Sequence, residues 1–277
     1  MKVQINKYNF LRWFTLADSI LQPAIPWLYW KDRDRLSCPI AYPSEAMSFY
    51  INTIDSAGLD YPGFANLKIR LINAKTGAVT NGDIGTLERQ YLDPPDNTIY
   101  NPFSTFDFPA AADGFYYLQI YDTVEADVIL NSSLIHVMND KQALDLCSCY
   151  FRFRNDRFYY GINYADIPDF FQQFRLLSGI TESVMEGDTE QYKEVTTGKT
   201  RILEDYVNNV VKLETYWFDQ EQHLAAGLMF NHSYVEINGS EYRRKATYKQ
   251  QSGGSQSAVS KGEIELLDMD FASANRC

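Results

Sequence analysis

The chain has 277 residues, 45% of them hydrophobic and 15% aromatic, a composition that buries cores and excludes the disordered class. Its 36 acidic and 25 basic side chains give a net charge of -11, which excludes binding of nucleic acid through a diffuse basic surface, because counterion release needs clustered Lys and Arg. Residues 1–145 carry 11 basic and 17 acidic side chains and residues 146–277 carry 14 and 19, so neither half is a basic module, and the length suffices for two cores.

The opening residues MKVQINKYNFLRWF have scattered charge and lack the apolar core of a secretory leader, and no stretch of about eighteen apolar residues runs unbroken. Synthesis without export and no membrane span are the expectations. Cys38, Cys147, Cys149 and Cys277 are too few for a disulfide framework in so long a chain, which points to a reducing compartment at synthesis.

Residues 1–46 read as an N-terminal extension or arm, in which residues 19–46 hold four prolines without a sustained period. Trp27, Tyr29 and Trp30 on this arm either cover the chain's own core or anchor on a neighbouring subunit, since aromatic residues are enriched in interface cores. From Met47 the pattern alternates, with Met47, Phe49 and Ile51 on one face and then Leu67, Ile69 and Leu71, as half-buried strands do. In DGFYYLQIYD, Gly114 and Tyr116 open an alternating strand with the spacing of the tyrosine corner of immunoglobulin-like sandwiches. A β-sandwich domain over residues 47–145 is therefore expected, with residues 86–110 as a long loop rich in proline and rings.

A second β-rich domain over residues 146–277 opens with CSCYFRFRNDRFYYGINY. Period two puts Cys147, Cys149, Phe151 and Phe153 on one strand face and Tyr150, Arg152 and Arg154 on the other, with Asn155-Asp156 turning the chain back through residues 158–162. The outward Tyr150, Arg152 and Arg154 either form a self-contained ladder or meet carboxylates and rings of a partner. Farther on, Asp219 is a helix N-cap before Leu224, Ala225, Leu228 and Met229, and Asn238-Gly239 turns a hairpin between Tyr234 and Tyr242. Residues 249–260 form a polar loop, and GEIELLDMDF a last strand. The fold class is thus mainly β: two β-sandwich-like domains, the second with one short helix.

Chemistry is poorly nominated. His136, His223 and His232 sit in no metal or nucleophile motif, and TTGKT at residues 196–200 lacks the first glycine and the leading strand of a phosphate loop. The pairs Glu263 with Glu265 and Asp268 with Asp270 have the spacing of solvated strand-face charges. No catalytic residue, cofactor or metal ligand is expected.

The series CYFRFRNDRFYYGINY, FQQFRLLSGI, EQYKEVTTGKTR and LETYWFDQEQHLAAGLMFNHSYVEINGSEYRR, closed by an acidic strand, resembles the C-terminal half of structural tail and collar ring proteins of crAss-like tailed phages of Bacteroidetes, over about half of the chain. The resemblance implies a non-enzymatic virion protein, made in the host cytoplasm, that forms a homo-oligomeric ring and touches other tail or neck proteins. It implies no membrane and no sequence-specific nucleic acid. The residues expected in interfaces are Trp27, Tyr29, Trp30, Tyr150, Arg152 and Arg154. A carbohydrate-binding β-sandwich protein is the alternative, in which Trp and Tyr line a sugar platform.

Overall fold

A computed structural model of the chain describes residues 10–15, 38–51, 64–91, 100–125, 128–251 and 259–274. The fold is mainly β. In the first half lie β1 (Trp13–Thr15), β2 (Ile40–Ala41), β3 (Ala46–Tyr50), β4 (Leu67–Asn73), β5 (Val79–Asn81), β6 (Glu88–Tyr91), β7 (Tyr100–Asp107), β8 (Gly114–Asp122), β9 (Val128–Ser132) and β10 (Ile135–Val137). One sheet has the order β3-β7-β6. It faces a second sheet in which β8 pairs with β4 along one side and with β9 and β10 along the other. The expected alternation does the packing: Met47, Phe49 and Phe106 from the first sheet meet Ile69, Leu71, Leu118 and Ile120 from the second in one buried cluster. The Tyr116 hydroxyl donates to the Ala112 carbonyl at 3.0 Å, so the tyrosine corner is present.

The second half comprises α1 (Lys141–Cys147), β11 (Ser148–Arg154), β12 (Phe158–Tyr159), β13 (Ile162–Asn163), β14 (Gln172–Lys193), β15 (Thr200–Phe218), α2 (Gln220–Met229), β16 (Tyr234–Ile237), β17 (Ser240–Arg244), β18 (Lys249–Gln250), β19 (Ser260–Asp268) and α3 (Met269–Ala274). Antiparallel pairings run β14-β11-β16-β17-β19-β15 and return from β15 to β14, closing a six-stranded barrel. Closure removes the sheet edges over the barrel's height. Phe151, Phe153, Phe174, Leu176, Leu213 and Ile264 fill the interior together with Ala225, Ala226 and Met229 of α2. Asp219 caps α2 as expected: its side chain accepts from the Gln222 backbone and the Gln222 side chain accepts from the Asp219 backbone. Asn238 (φ 52°) and Gly239 (φ 92°) make the tight turn between β16 and β17, a conformation that suits this pair.

The two halves share one continuous sheet, because β2 pairs parallel with β10 and, through Ile40 opposite Arg175, with β14. Phe10 lies in the barrel core, its ring 4.9 Å from that of Phe174, while Trp13 lies in the sandwich core, 4.6 Å from Phe49. Arg12 between them pairs with Asp219 at 2.7 Å and Glu221 at 2.9 Å. The second face of β3 is buried as well: Tyr50 joins Phe103, Ile162, Tyr164 and Phe170 in a third cluster. Ser48 Oγ donates to the Phe171 carbonyl at 2.8 Å and accepts from the Gln173 N–H at 2.7 Å.

Several local expectations are corrected. Residues 86–110 are no loop throughout but contain β6 and β7; Pro102 within β7 has no N–H to give, yet its carbonyl accepts from Ile51 at 2.8 Å, so the strand survives it. Cys147 ends α1 instead of starting β11, and only Cys149 is buried with the phenylalanines. The segment after Asn155 does not return along β11; β12 and β13 pair with each other, and β11 is flanked by β14 and β16. The last strand stops at Asp268, whose carboxylate accepts from the Phe271 N–H at 3.1 Å as α3 begins. Three helices, not one, are present among the described residues.

Candidate functional site

The feature that the sequence reading missed is the length of β14 and β15. Only residues 172–177 of β14 pair with β11, and only residues 210–218 of β15 pair with β19. Beyond these the two strands pair with each other alone, from Met185 opposite Asn209 on to Lys193 opposite Thr200. This two-stranded ribbon spans about 30 Å at ~3.3 Å per residue. TTGKT forms its tip, where Gly198 (φ 68°) donates to Glu194 at 2.8 Å and Glu194 donates to Lys199 at 2.9 Å.

Register fixes what each face carries. Glu182, Val184 and Glu186 stand opposite Lys212, Val210 and Asn208 on the face continuous with the barrel's outside. Ser183, Met185 and Gly187 stand opposite Val211, Asn209 and Val207 on the other face, which carries no charge over this stretch. Residues 181–187 are all exposed, Met185 by 59%, Val184 by 51% and Val207 by 44%. Two strands alone are marginal in water, and exposed Val and Met side by side mark a contact surface more often than an isolated arm. Glu186 forms an ion pair with Lys245, which follows β17, and this anchors the base of the ribbon.

Of the interface residues expected from sequence, Trp27, Tyr29 and Trp30 lie outside the described residues. Tyr150, Arg152 and Arg154 do share the outer face of β11, as the alternation requires. The Tyr150 hydroxyl donates to the Ala46 carbonyl at 2.8 Å, so this ring meets the chain's own first half. Arg152 pairs with Glu236 at 3.3 Å and its guanidinium lies 3.7 Å from the Phe171 ring centre. Arg154 stacks on the same ring at 5.1 Å and donates to the Pro168 carbonyl. Beside them Arg175, with 3% of its side chain exposed, pairs with Glu45 and, at 3.0 Å, with Asp145.

The histidines are occupied in packing. His136 stacks on Phe115 at 4.6 Å, and burial lowers its pKa. Burial pushes His232 down to about 4; its ring contacts Tyr164 Oη at 3.1 Å and the Leu228 carbonyl at 2.9 Å. His223 reaches Ser260 Oγ at 2.9 Å and Tyr248 Oη at 2.6 Å, a pairing across 37 and 25 residues that sequence spacing could not reveal. The ring nitrogen turned away from Ser260 meets a phenol and no carboxylate, and burial lowers the pKa of the imidazole. Ser260 is 4% exposed and also receives Gln250 Nε2 at 2.9 Å, so the network ties α2, β18 and β19 together at one end of the barrel. Among the described residues no group of three or more His, Cys, Asp or Glu side chains is placed to hold a metal ion, and no helix is long and apolar enough to cross a membrane. Comparison with protein-family models and with curated proteins gives no match.

Proposed function

We propose that this chain is a non-enzymatic structural protein of a tailed-phage virion, present in several copies in a tail or neck ring. The observation that carries the reading is the ribbon of β14 and β15: a 22-residue and a 19-residue strand run far past the barrel they help to close, with exposed apolar residues on both faces. An arm of this kind has no work to do in packing its own barrel, and contact with another chain gives its Val and Met side chains cover. The resemblance of residues 149–244 and the closing acidic strand to tail and collar ring proteins supports the same reading and supplies its phage context.

Size sets what else must contribute. One face of a ribbon about 30 Å long and ~10 Å wide covers on the order of 300 Å² on each partner, below the ~1,200 Å² total of a stable interface. Further surface is therefore required, and Trp27, Tyr29, Trp30 and the Arg152 and Arg154 face are the residues we assign to it. The test is the native mass of the purified chain against a variant in which residues 185–209 are replaced by an Asn-Gly turn between the paired Val184 and Val210. The full chain should form a discrete oligomer, and the shortened one should keep its circular dichroism and thermal transition but run as a monomer. A full chain that stays monomeric at every concentration, or a shortened chain that assembles as well as the full one, overturns the reading.

A further inference from the structure

One edge of β14 is left open. β11 leaves it after Ser148 opposite Leu177, while β15 holds the other edge from Ser178 to Lys193. The outer edge of residues 178–193 thus pairs with no strand among the described residues, over about 50 Å at ~3.3 Å per residue. Residues 180–187 and 191–193 are exposed along it. A row of unpaired N–H and C=O groups of this length is a template for strand addition. By alternation Glu182, Glu186, Asp188 and Glu190 share one face of β14, whereas the face of Met185 and Gly187 carries no charge from Ser183 to Gln191. No basic residue lies between Ile180 and Tyr192. Lys245 reaches Glu186 from the far side of the ribbon, since its backbone N–H donates to Glu265 of β19, which lies beyond β15. By register Asp188 stands opposite Tyr206 and Glu190 opposite Glu204, so β15 supplies no opposite charge directly across from either.

We infer that residues 1–9 of a second copy add to this edge as a further strand. This rests on the multi-copy reading above and names the contact it uses. A second β14 on the same edge would set carboxylate against carboxylate, so the occupant must be free of acid. Of the stretches outside the described residues, 16–37, 52–63 and 92–99 each hold aspartates and proline, and 252–258 is a polar run around Gly253-Gly254. Residues 1–9, MKVQINKYN, carry Lys2 and Lys7, no acid, no Gly and no Pro, and alternate through Val3 and Ile5. One alignment suits both faces. Val3 and Ile5 lie on the uncharged side with Met185, which puts Lys2 on the carboxylate side and Lys7 off it. Reach decides between the chain's own ribbon and another's. Phe10 is fixed against Phe174, and nine extended residues span about 30 Å, whereas Met185 to Lys193 lies about 36 to 63 Å farther along β14. Each copy therefore gives one strand and takes one, the heterologous exchange from which rings are built.

The experiment uses the full chain, with the photocrosslinking residue benzoylphenylalanine in place of Ile5 and an isotopically labelled second population. Crosslinks between light and heavy chains should map to the tryptic peptide of residues 176–193. In parallel, Lys2→Glu should weaken self-association by about tenfold and Lys7→Glu by less than about threefold, and Lys2→Glu combined with Asp188→Lys and Glu190→Lys should recover most of the loss. Circular dichroism confirms that each variant is folded. Should the ribbon reversals unfold it, hydrogen exchange gives a second route: amides of residues 178–193 should exchange slowly in the oligomer and faster in Lys2→Glu. An oligomer whose Ile5 crosslinks fall outside this peptide, or in which Lys2→Glu acts no more strongly than Lys7→Glu, overturns this inference and leaves the multi-copy reading standing. A chain that is monomeric at every concentration overturns both.

Discussion

At the scale of residues, burial decides behaviour more than residue type does. His232 packs against Phe153, Tyr159 and Tyr164, with a hydroxyl and a carbonyl as its ring partners, an arrangement that suits the neutral imidazole. Its pKa of about 4 lies below the usual 6.5, so the unfolded chain takes up the proton first. Stability from this group is complete above pH 6.5 and is lost as pH falls toward 4, a change of about 3 kcal/mol. We expect His232→Gln to be less stable at pH 7 and to close the gap near pH 4, measured by urea unfolding at both. Arg175→Met should cost about 3 kcal/mol at pH 7, because the mostly buried Glu45 would lose its main charge partner and keep only Lys141 at 3.3 Å. Tyr160 holds φ 45° beside Gly161 at φ 90° and is half exposed, so Tyr160→Asn should raise stability by about 0.5 to 1 kcal/mol in the same assay.

At the scale of elements, what local chemistry specifies was readable. The Tyr116 corner, the Asp219 cap and the Asn238-Gly239 turn each depend on residues within a few positions of one another, and each forms. We expect Asp219→Ala to cost about 1 to 2 kcal/mol, since it removes both a cap and one of the two carboxylate partners of Arg12; chemical unfolding would show it. The ribbon could not be read in this way. Its strands carry Gly179, Gly187 and several carboxylates, which weaken any strand signal, and each is held by the other across the tip. Residues 86–110 hid β6 and β7 because prolines and rings look like loop until a partner strand accepts them. The inward and outward sides of β11 followed from period two, whereas the fact that Tyr150 meets Ala46 required the fold. Barrel closure, too, is a property of pairings far apart in sequence and leaves no local mark.

At the scale of the whole molecule, the sandwich and the barrel are linked by a shared sheet, the buried Arg175 group and the cluster around Tyr50. One cooperative thermal transition is therefore the expected behaviour, read by calorimetry with matching far- and near-ultraviolet dichroism. Phe10→Ala should lower it by removing a core ring from the barrel, at a cost of about 3 to 4 kcal/mol, although the residue belongs to the segment that also carries Trp13 into the sandwich.

The ion pair of Arg12 with Asp219 joins positions 207 residues apart. Bringing such distant segments together loses chain entropy that is recovered only once both have something to dock on, so this latch closes after the rest of the topology is in place. A contact absent from the folding transition state acts on the escape rate: Arg12→Ala should speed unfolding several-fold in stopped-flow measurements while leaving the refolding limb nearly unmoved. The persistence time of the native chain should then depend on the first described segment of the sequence.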